Sequence, residues 1–187
     1  RYKIIKNAKI DAQGKVTANL EVNSDIKKKK TTVDGKFSSS NIKLANYNFQ
    51  NIKTAMKIAD EKLTLTNTSF VFDETISGFK IKEDVKSDKF VYDLKNKTGN
   101  GNYILNNLGS DFSIGTITGN LKISAKNIIS GTVNSNVLNG NYTINPSSRT
   151  LVVNARSKGY FTVNYGGKSY TISPDVDNLV VNFNGKN

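Results

Sequence analysis

The chain has 187 residues and a formal net charge of +12, from 27 lysines and arginines against 15 aspartates and glutamates. It contains no cysteine, histidine or tryptophan, which excludes disulfides, thiolate nucleophiles and imidazole bases and removes the usual zinc and iron ligands. No apolar run reaches the roughly 18 residues that a transmembrane helix needs, so the sequence predicts none.

The residue types that could still support catalysis give no active-site pattern. Carboxylate pairs at Asp60-Glu61, Asp73-Glu74 and Glu83-Asp84 lie between strand-like runs beside turn residues, where solvated loops are common. The serines at 38–40 lack a neighbouring base or the glycines of a nucleophile elbow. We therefore expect no enzyme, no cofactor and no metal site.

The positive charge invites a nucleic-acid or membrane-surface interpretation, but it comes almost entirely from lysine. Only Arg1, Arg149 and Arg156 carry the planar guanidinium that phosphate and base recognition favours. The one basic run, Lys27 to Lys30, is typical of a solvated loop, and attraction to anionic lipid head groups or to nucleic acid is the alternative. We expect no nucleic-acid partner.

Alternation of apolar and polar residues dominates the chain and predicts strand after strand, because a period of two places every second side chain on one face. The segment 52–60 contains helix-forming alanines, but the alternation of Ile52, Thr54, Met56 and Ile58 favours a strand there. In chain order the predicted strands are 3–10, 15–22, 32–37, 42–45, 47–58, 63–69, 76–82, 90–94, 102–105, 112–117, 121–125, 128–133, 137–144, 150–155, 160–165, 169–173 and 179–183.

A Gly166-Gly167 pair defines one hairpin register, since two glycines supply the positive φ angles of a primed turn. Counting outward from the turn predicts four pairs of facing residues. They are Tyr165 with Lys168, Val163 with Tyr170, Thr162 with Thr171 and Phe161 with Ile172. In this register apolar side chains face apolar side chains on one side of the hairpin, and the two threonine hydroxyls face each other on the other side.

A short upstream loop at 156–159 predicts that Val153 pairs with Phe161 and Leu151 with Val163. The result would be a three-stranded meander with one apolar face. Further turns are expected at Asn139-Gly140, Asp34-Gly35 and Asn184-Gly185.

The predicted fold class is all-β, a strongly curved antiparallel sheet that forms an open groove. Glycines cluster after residue 98, and glycine within strand patterns marks bulges or bends where a sheet curls. A β-sandwich, in which two apolar faces cover each other, and a β-solenoid are the alternatives. We expect one continuous sheet over 1–187, cut from a longer chain; two sub-units that meet near 83–100 are the alternative.

The stretch 33–70 resembles the repeating unit of the AsmA-like superfamily, and of its TamB branch in particular. In that family a strand with a leading glycine precedes a strand pair, a short acidic or glycine turn, and a strand of L-x-L pattern. The corresponding parts here are 35–37, 42–58, Asp60-Glu61 and Leu63-Thr64-Leu65, with looser versions at 119–125 and 131–140.

The resemblance implies a U-shaped β-taco sheet with an apolar interior, within a periplasmic bridge between the inner and outer membranes of a two-membrane bacterium. It implies phospholipid acyl chains as cargo, an inner-membrane anchor on the parent chain, and partnership with an outer-membrane assembly protein and with neighbouring segments of the same chain. The lysine run at 27–30 and the poorly patterned stretch 83–89 depart from the family pattern.

The candidate lining of the groove consists of apolar residues at alternating positions after residue 120. Each is also an ordinary core position, so only a joint arrangement on an uncovered face would make them functional. They are Leu121, Ile123, Tyr142, Ile144, Leu151, Val153, Phe161, Val163, Tyr170, Ile172, Leu179, Val181 and Phe183.

Two other functions fit the same pattern. The asparagine, serine, threonine and glycine content after residue 100 suits a passenger segment of a bacterial surface adhesin, with a structural or binding role at the cell surface. A jelly roll similar to lipopolysaccharide-transport proteins would also provide a groove. A carbohydrate-binding sandwich is less favoured because tryptophan is absent.

Overall fold

The computed structural model describes residues 12–27, 30–44, 47–76, 78–113, 115–173 and 176–182. Within these ranges the chain is all-β and contains no helix, as predicted. The fifteen strands are β1 (Ala12–Gly14), β2 (Thr17–Asp25), β3 (Lys30–Leu44), β4 (Tyr47–Ala59), β5 (Lys62–Ile76), β6 (Phe79–Asp93), β7 (Thr98–Asn107), β8 (Phe112–Ser113), β9 (Ile117–Ile123), β10 (Ile129–Asn134), β11 (Leu138–Asn145), β12 (Thr150–Ser157), β13 (Phe161–Tyr165), β14 (Lys168–Ile172) and β15 (Val176–Asn182).

Twelve strands form one large antiparallel sheet in almost strictly sequential order. The order is β1-β3-β4-β5-β6-β7-β9-β10-β11-β12-β15, and β2 pairs with β3 next to β1. A small sheet of order β14-β13-β8 contains the other three. Because nearly every strand pairs with its neighbour in sequence, local hairpins build the architecture.

The first half of the large sheet contains longer strands than the sequence suggested. The predicted strands 76–82 and 90–94 contribute residues 79–82 and 90–93 to the single 15-residue strand β6, which also contains the poorly patterned stretch between them. Residues 32–37 and 42–44 of two further predicted strands likewise belong to β3. The strand assignment for 52–58 is confirmed within β4.

Two of the predicted glycine turns are wrong. Asp34-Gly35 lies inside β3, where Gly35 pairs with both Leu20 and Met56. Asn139-Gly140 lies inside β11, where Gly140 pairs with Val133 and Ala155. The chain turns elsewhere, and the third candidate, Asn184-Gly185, lies outside the described residues.

The Gly166-Gly167 hairpin is confirmed in its predicted register, with φ angles of 59° and 73° at the two glycines. The predicted meander with β12 is wrong. β12 pairs with β11 and β15, whereas β13 pairs with β14 and with the two-residue β8. The chain therefore leaves the large sheet after β12, forms the small sheet and returns as β15.

The large sheet is not closed, and no second layer of comparable size covers it among the described strands. In this part of the chain no side chain is fully buried, and only Ala155 and Val163 count as buried apolar residues. The accessible surface is 13354 Å², against about 8,900 Å² for a compact protein of this mass. The fold is thus open rather than a sandwich with one shared core.

Candidate functional site

Directly paired residues on neighbouring antiparallel strands point to the same face, so the strand register defines rows of side chains across the sheet. Two adjacent rows, made of apolar residues and glycines, run across the large sheet from β2 to β15. Each row has one residue on each of eleven strands, and only β1 contributes none. The first apolar row is Val22, Val33, Ile58, Leu63, Tyr92, Gly99, Ile123, Ile129, Ile144, Leu151 and Val181. The second apolar row is Leu20, Gly35, Met56, Leu65, Phe90, Gly101, Leu121, Gly131, Tyr142, Val153 and Leu179.

We call the side of the sheet that carries these rows the apolar face. Its interior side chains are half-buried by their neighbours on the same face. At the β2 edge this shielding ends, and Leu20 and Val22 are 57% and 63% exposed. The rows therefore form a continuous apolar surface, not the core of a closed domain.

Aromatic rings fill the space above several glycines of the apolar face. A Cβ atom at Gly101 would lie 2.8 Å from the Phe90 ring, and one at Gly131 would lie 2.6 Å from the Tyr142 hydroxyl oxygen. Rings lying over strand glycines restore the apolar contact area that the missing side chains would have provided. The glycines thus allow large rings to lie flat on the sheet.

Two tyrosines on this face have their hydroxyl groups held by the backbone. Tyr103 donates a hydrogen bond to the carbonyl oxygen of Thr132 at 2.8 Å, and Tyr142 donates to that of Asn120 at 3.4 Å. The ring centroids are 6.4 Å apart. Burial raises the pKa of both phenols, so they remain neutral donors on an apolar surface.

An aromatic cluster continues the apolar surface towards the other end of the long strands. The Phe49 ring lies 5.5 Å from Phe70 and 5.6 Å from Phe72, and Tyr47 lies 6.0 Å from Phe72. Register shifts between β4 and β5 accompany the change from apolar positions 63 and 65 to positions 70 and 72. These bulges let both strands keep large apolar residues together.

The structure brings together most of the predicted lining residues. Leu121, Ile123, Tyr142, Ile144, Leu151 and Val153 lie in the two apolar rows, and the backbone register places Leu179 and Val181 in the same rows. Four of the other predicted positions, Phe161, Val163, Tyr170 and Ile172, belong to the small sheet, and Phe183 lies outside the described residues.

Sequence reasoning missed the first half of the apolar face. Ile58, Leu63, Leu65 and Phe90 occupy the same two rows as the predicted lining. Their alternation was visible, but only the strand register shows that residues before and after residue 100 form one surface.

The opposite side of the large sheet, which we call the polar face, carries amides, hydroxyls and charges. One of its rows is Asn102, Asn120, Thr132, Asn141 and Asn154. Towards β2 the same face carries the ion pair of Lys57 with Asp34, whose Nζ and Oδ1 atoms are 3.6 Å apart.

Open hollows occur on the polar face. The hollow over β10 to β12 is lined by the polar-face residues of those strands, with Val133, Gly140 and Ala155 between them as its floor. Polar-face residues also line a hollow over β7 and β9 that contains Asn100 and Lys122. The hollow over β7 and β9 also includes Gly99, Gly101, Leu121 and Ile123 of the two apolar rows in its lining.

Among the described residues no group of three or more histidine, cysteine, aspartate or glutamate side chains could hold a metal ion. No helix in that part of the chain is long and apolar enough to cross a membrane. The arrangement can bind ligands by apolar contact on one face and by hydrogen bonding on the other.

The fold and the two faces define an all-β protein built on an open antiparallel sheet, with one apolar and one polar surface. Comparisons with protein-family models, with curated proteins and with solved structures each find no match.

Proposed function

We propose that the apolar face holds the acyl chains of phospholipids. The observation that carries this proposal is the pair of uninterrupted apolar rows across eleven strands, which no other described element covers. An exposed apolar surface of this extent usually marks a binding site. The resemblance to the AsmA-like superfamily supports the same ligand.

The energetics suit a carrier. Burying about ten methylene groups against the rows would contribute up to ~8 kcal/mol, at ~0.8 kcal/mol for each group. Apolar contact is non-directional, so an acyl chain can move along the rows without breaking specific bonds. The tyrosine hydroxyls do not present unpaired donors to an acyl chain, because backbone carbonyls already accept their hydrogen bonds.

In the full proposal the sheet curls into a β-taco whose interior is the apolar face. Neighbouring segments of a longer chain extend the two rows in the periplasm of a two-membrane bacterium. Phospholipid then moves between the inner and outer membranes, and the protein contributes to outer-membrane assembly. Residues of the first and second apolar rows line the path, and no catalytic group is required.

The proposal is tested by lipid extraction and native mass spectrometry of the purified protein, together with binding of a fluorescent phospholipid. Val153 and Val152 are adjacent on β12 and point to opposite faces, since Val153 pairs with Tyr142 and Val152 with Thr143. We expect Val153→Asp to remove most bound lipid, because it places a charge within the second apolar row. Val152→Asp should retain it.

The proposal fails if the unmodified protein carries no lipid and does not bind the fluorescent one. It also fails if both variants lose lipid equally while remaining folded by circular dichroism. A protein without lipid would favour the second candidate, a surface-adhesin segment, which the asparagine and threonine row of the polar face supports.

A further inference from the structure

The hollow over β10 to β12 has a distinct chemical lining. Its side chains come from two neighbouring rows of the polar face, one with Asn141 and Asn154 and the other with Asn134, Asn139 and Arg156. All of them are exposed. Side-chain amides both donate and accept hydrogen bonds, which matches ligands rich in hydroxyl groups.

The charged residues that line this hollow are both basic. Arg156 lies on β12, and Lys158 follows the strand with its Nζ atom 2.9 Å from the Oδ1 atom of Asn134. Between residues 100 and 173 the sequence contains a single acidic residue, Asp111, and the next one on a described strand, Asp177, lies on β15 beside β12. The Asp111 carboxylate accepts a hydrogen bond from the Lys80 backbone at 2.6 Å, at the start of β6. Among the residues that the structure describes, no carboxylate lines the hollow.

From this lining we propose that the hollow binds an acidic polysaccharide. The amides of Asn139, Asn141 and Asn154 would hydrogen-bond sugar hydroxyls, while Arg156 and Lys158 would bind carboxylate groups. Neighbouring strands are about 4.8 Å apart and alternate residues of one strand about 6.8 Å apart. The lining is therefore a two-dimensional array of polar groups that can contact consecutive sugar units.

Nucleic acid fits this surface less well, although it is also a polyanion. Proteins bind single strands by stacking bases on aromatic rings, and the hollow contains none. Both Tyr103 and Tyr142 belong to the apolar face. A single arginine also provides little bidentate phosphate recognition. The site is independent of lipid on the opposite face.

The test measures binding of polygalacturonate by isothermal titration calorimetry at low ionic strength, with neutral dextran and single-stranded DNA as comparison ligands. We expect polygalacturonate to bind and dextran to bind much more weakly. Arg156→Gln and Asn141→Asp should each weaken binding about tenfold, because each removes or opposes a charge-assisted hydrogen bond. Arg149→Gln removes the same charge from the β11–β12 turn, outside the hollow, and should change binding less than about twofold.

Three results would overturn the proposal. Polygalacturonate could fail to bind, or Arg149→Gln could weaken binding as much as Arg156→Gln, which would indicate attraction to net charge alone. Binding of single-stranded DNA as tight as that of polygalacturonate would instead indicate a nucleic-acid site. Circular dichroism of each variant ensures that a loss of binding does not reflect unfolding.

Discussion

Glu83 is an acidic side chain placed against an apolar surface. It pairs with Phe72 across β5 and β6, and its Oε1 atom accepts a 2.6 Å hydrogen bond from the Ser110 hydroxyl. Burial raises the pKa of the carboxyl above its ordinary value of 4.5, and the Ser110 hydrogen bond only partly opposes this. The folded protein therefore disfavours the charged form.

The pH dependence of stability follows from that shift. Between pH 4.5 and the raised folded pKa, the folded state binds more protons at Glu83 than the unfolded state does, so stability falls as pH rises through this window. We expect Glu83→Gln to remove this fall and to be at least as stable as the unmodified protein at pH 7. Urea unfolding between pH 4 and pH 8 measures both quantities.

Asp93 is a control because its pKa is shifted in the opposite direction to that of Glu83. Hydrogen bonds from the Asn96 backbone and side chain, at 2.7 and 2.9 Å, lower the pKa of Asp93 from its ordinary 3.8. The ionised Asp93 carboxylate therefore stabilises the folded protein above pH 3.8, and this stabilisation is lost as pH falls through the folded pKa. Asp93→Asn should reduce stability at neutral pH. If Glu83→Gln behaves in the same way, the Ser110 hydrogen bond outweighs the burial of the charge.

At the scale of strands, Gly131 shows how glycine permits close pairing in the middle of the sheet. It lies between Leu121 on β9 and Tyr142 on β11. A Cβ atom there would collide with the backbone carbonyl oxygen of Asn120 and would approach the Tyr142 hydroxyl to 2.6 Å. A rigid backbone atom cannot move away as a side chain can, so all three strands would have to shift.

We expect Gly131→Ala to lower the free energy of unfolding by about 2 kcal/mol or more, measured from urea midpoints. Gly159 is the matched control, because the nearest atom to its added Cβ is Val137 Cγ1 at 4.0 Å. Gly159→Ala should therefore change stability by less than about 0.5 kcal/mol. Equal effects of the two substitutions would show that close packing at Gly131 is unimportant.

Close packing around glycine also explains which of the predicted glycine turns were correct. Gly166-Gly167 was assigned correctly because the turn and both flanking patterns lie within twelve residues of sequence, 161–172. Asn139-Gly140 and Asp34-Gly35 have the same turn chemistry but lie inside strands, where their neighbours across the sheet require a small residue. The sequence of one strand does not contain that information.

The partner of β13 was also beyond local reasoning. Pairing Val153 with Phe161 satisfied the apolar pattern, but so does the observed pairing of Val153 with Leu179 on β15. β13 and β15 have the same alternation, so either could pair with the edge of β12. Which of them does so depends on how the chain between them folds. Within the large sheet the lining was predicted only on β9, β11, β12 and β15 for a related reason: alternation identifies a face, whereas register shows how far it extends.

At the scale of the whole molecule, the large sheet is wide and thin. Eleven strand positions at about 4.8 Å each give a width of about 48 Å. Small-angle X-ray scattering of the delipidated monomer should therefore give a radius of gyration above the ~16 Å of a compact protein of this length. A value at or below that figure would show that the sheet folds onto itself, and a concentration series excludes dimers.

The sequential strand order also has a mechanical consequence. Hydrogen bonds between antiparallel strands run across the sheet, along the line that joins β2 to β15. Tension applied between these outermost strands is carried by every strand pair in series, and it acts along the hydrogen bonds. Such a sheet opens by peeling, strand by strand and at low force, and each released strand lengthens the chain. The same arrangement that exposes a wide apolar surface thus makes the protein extensible.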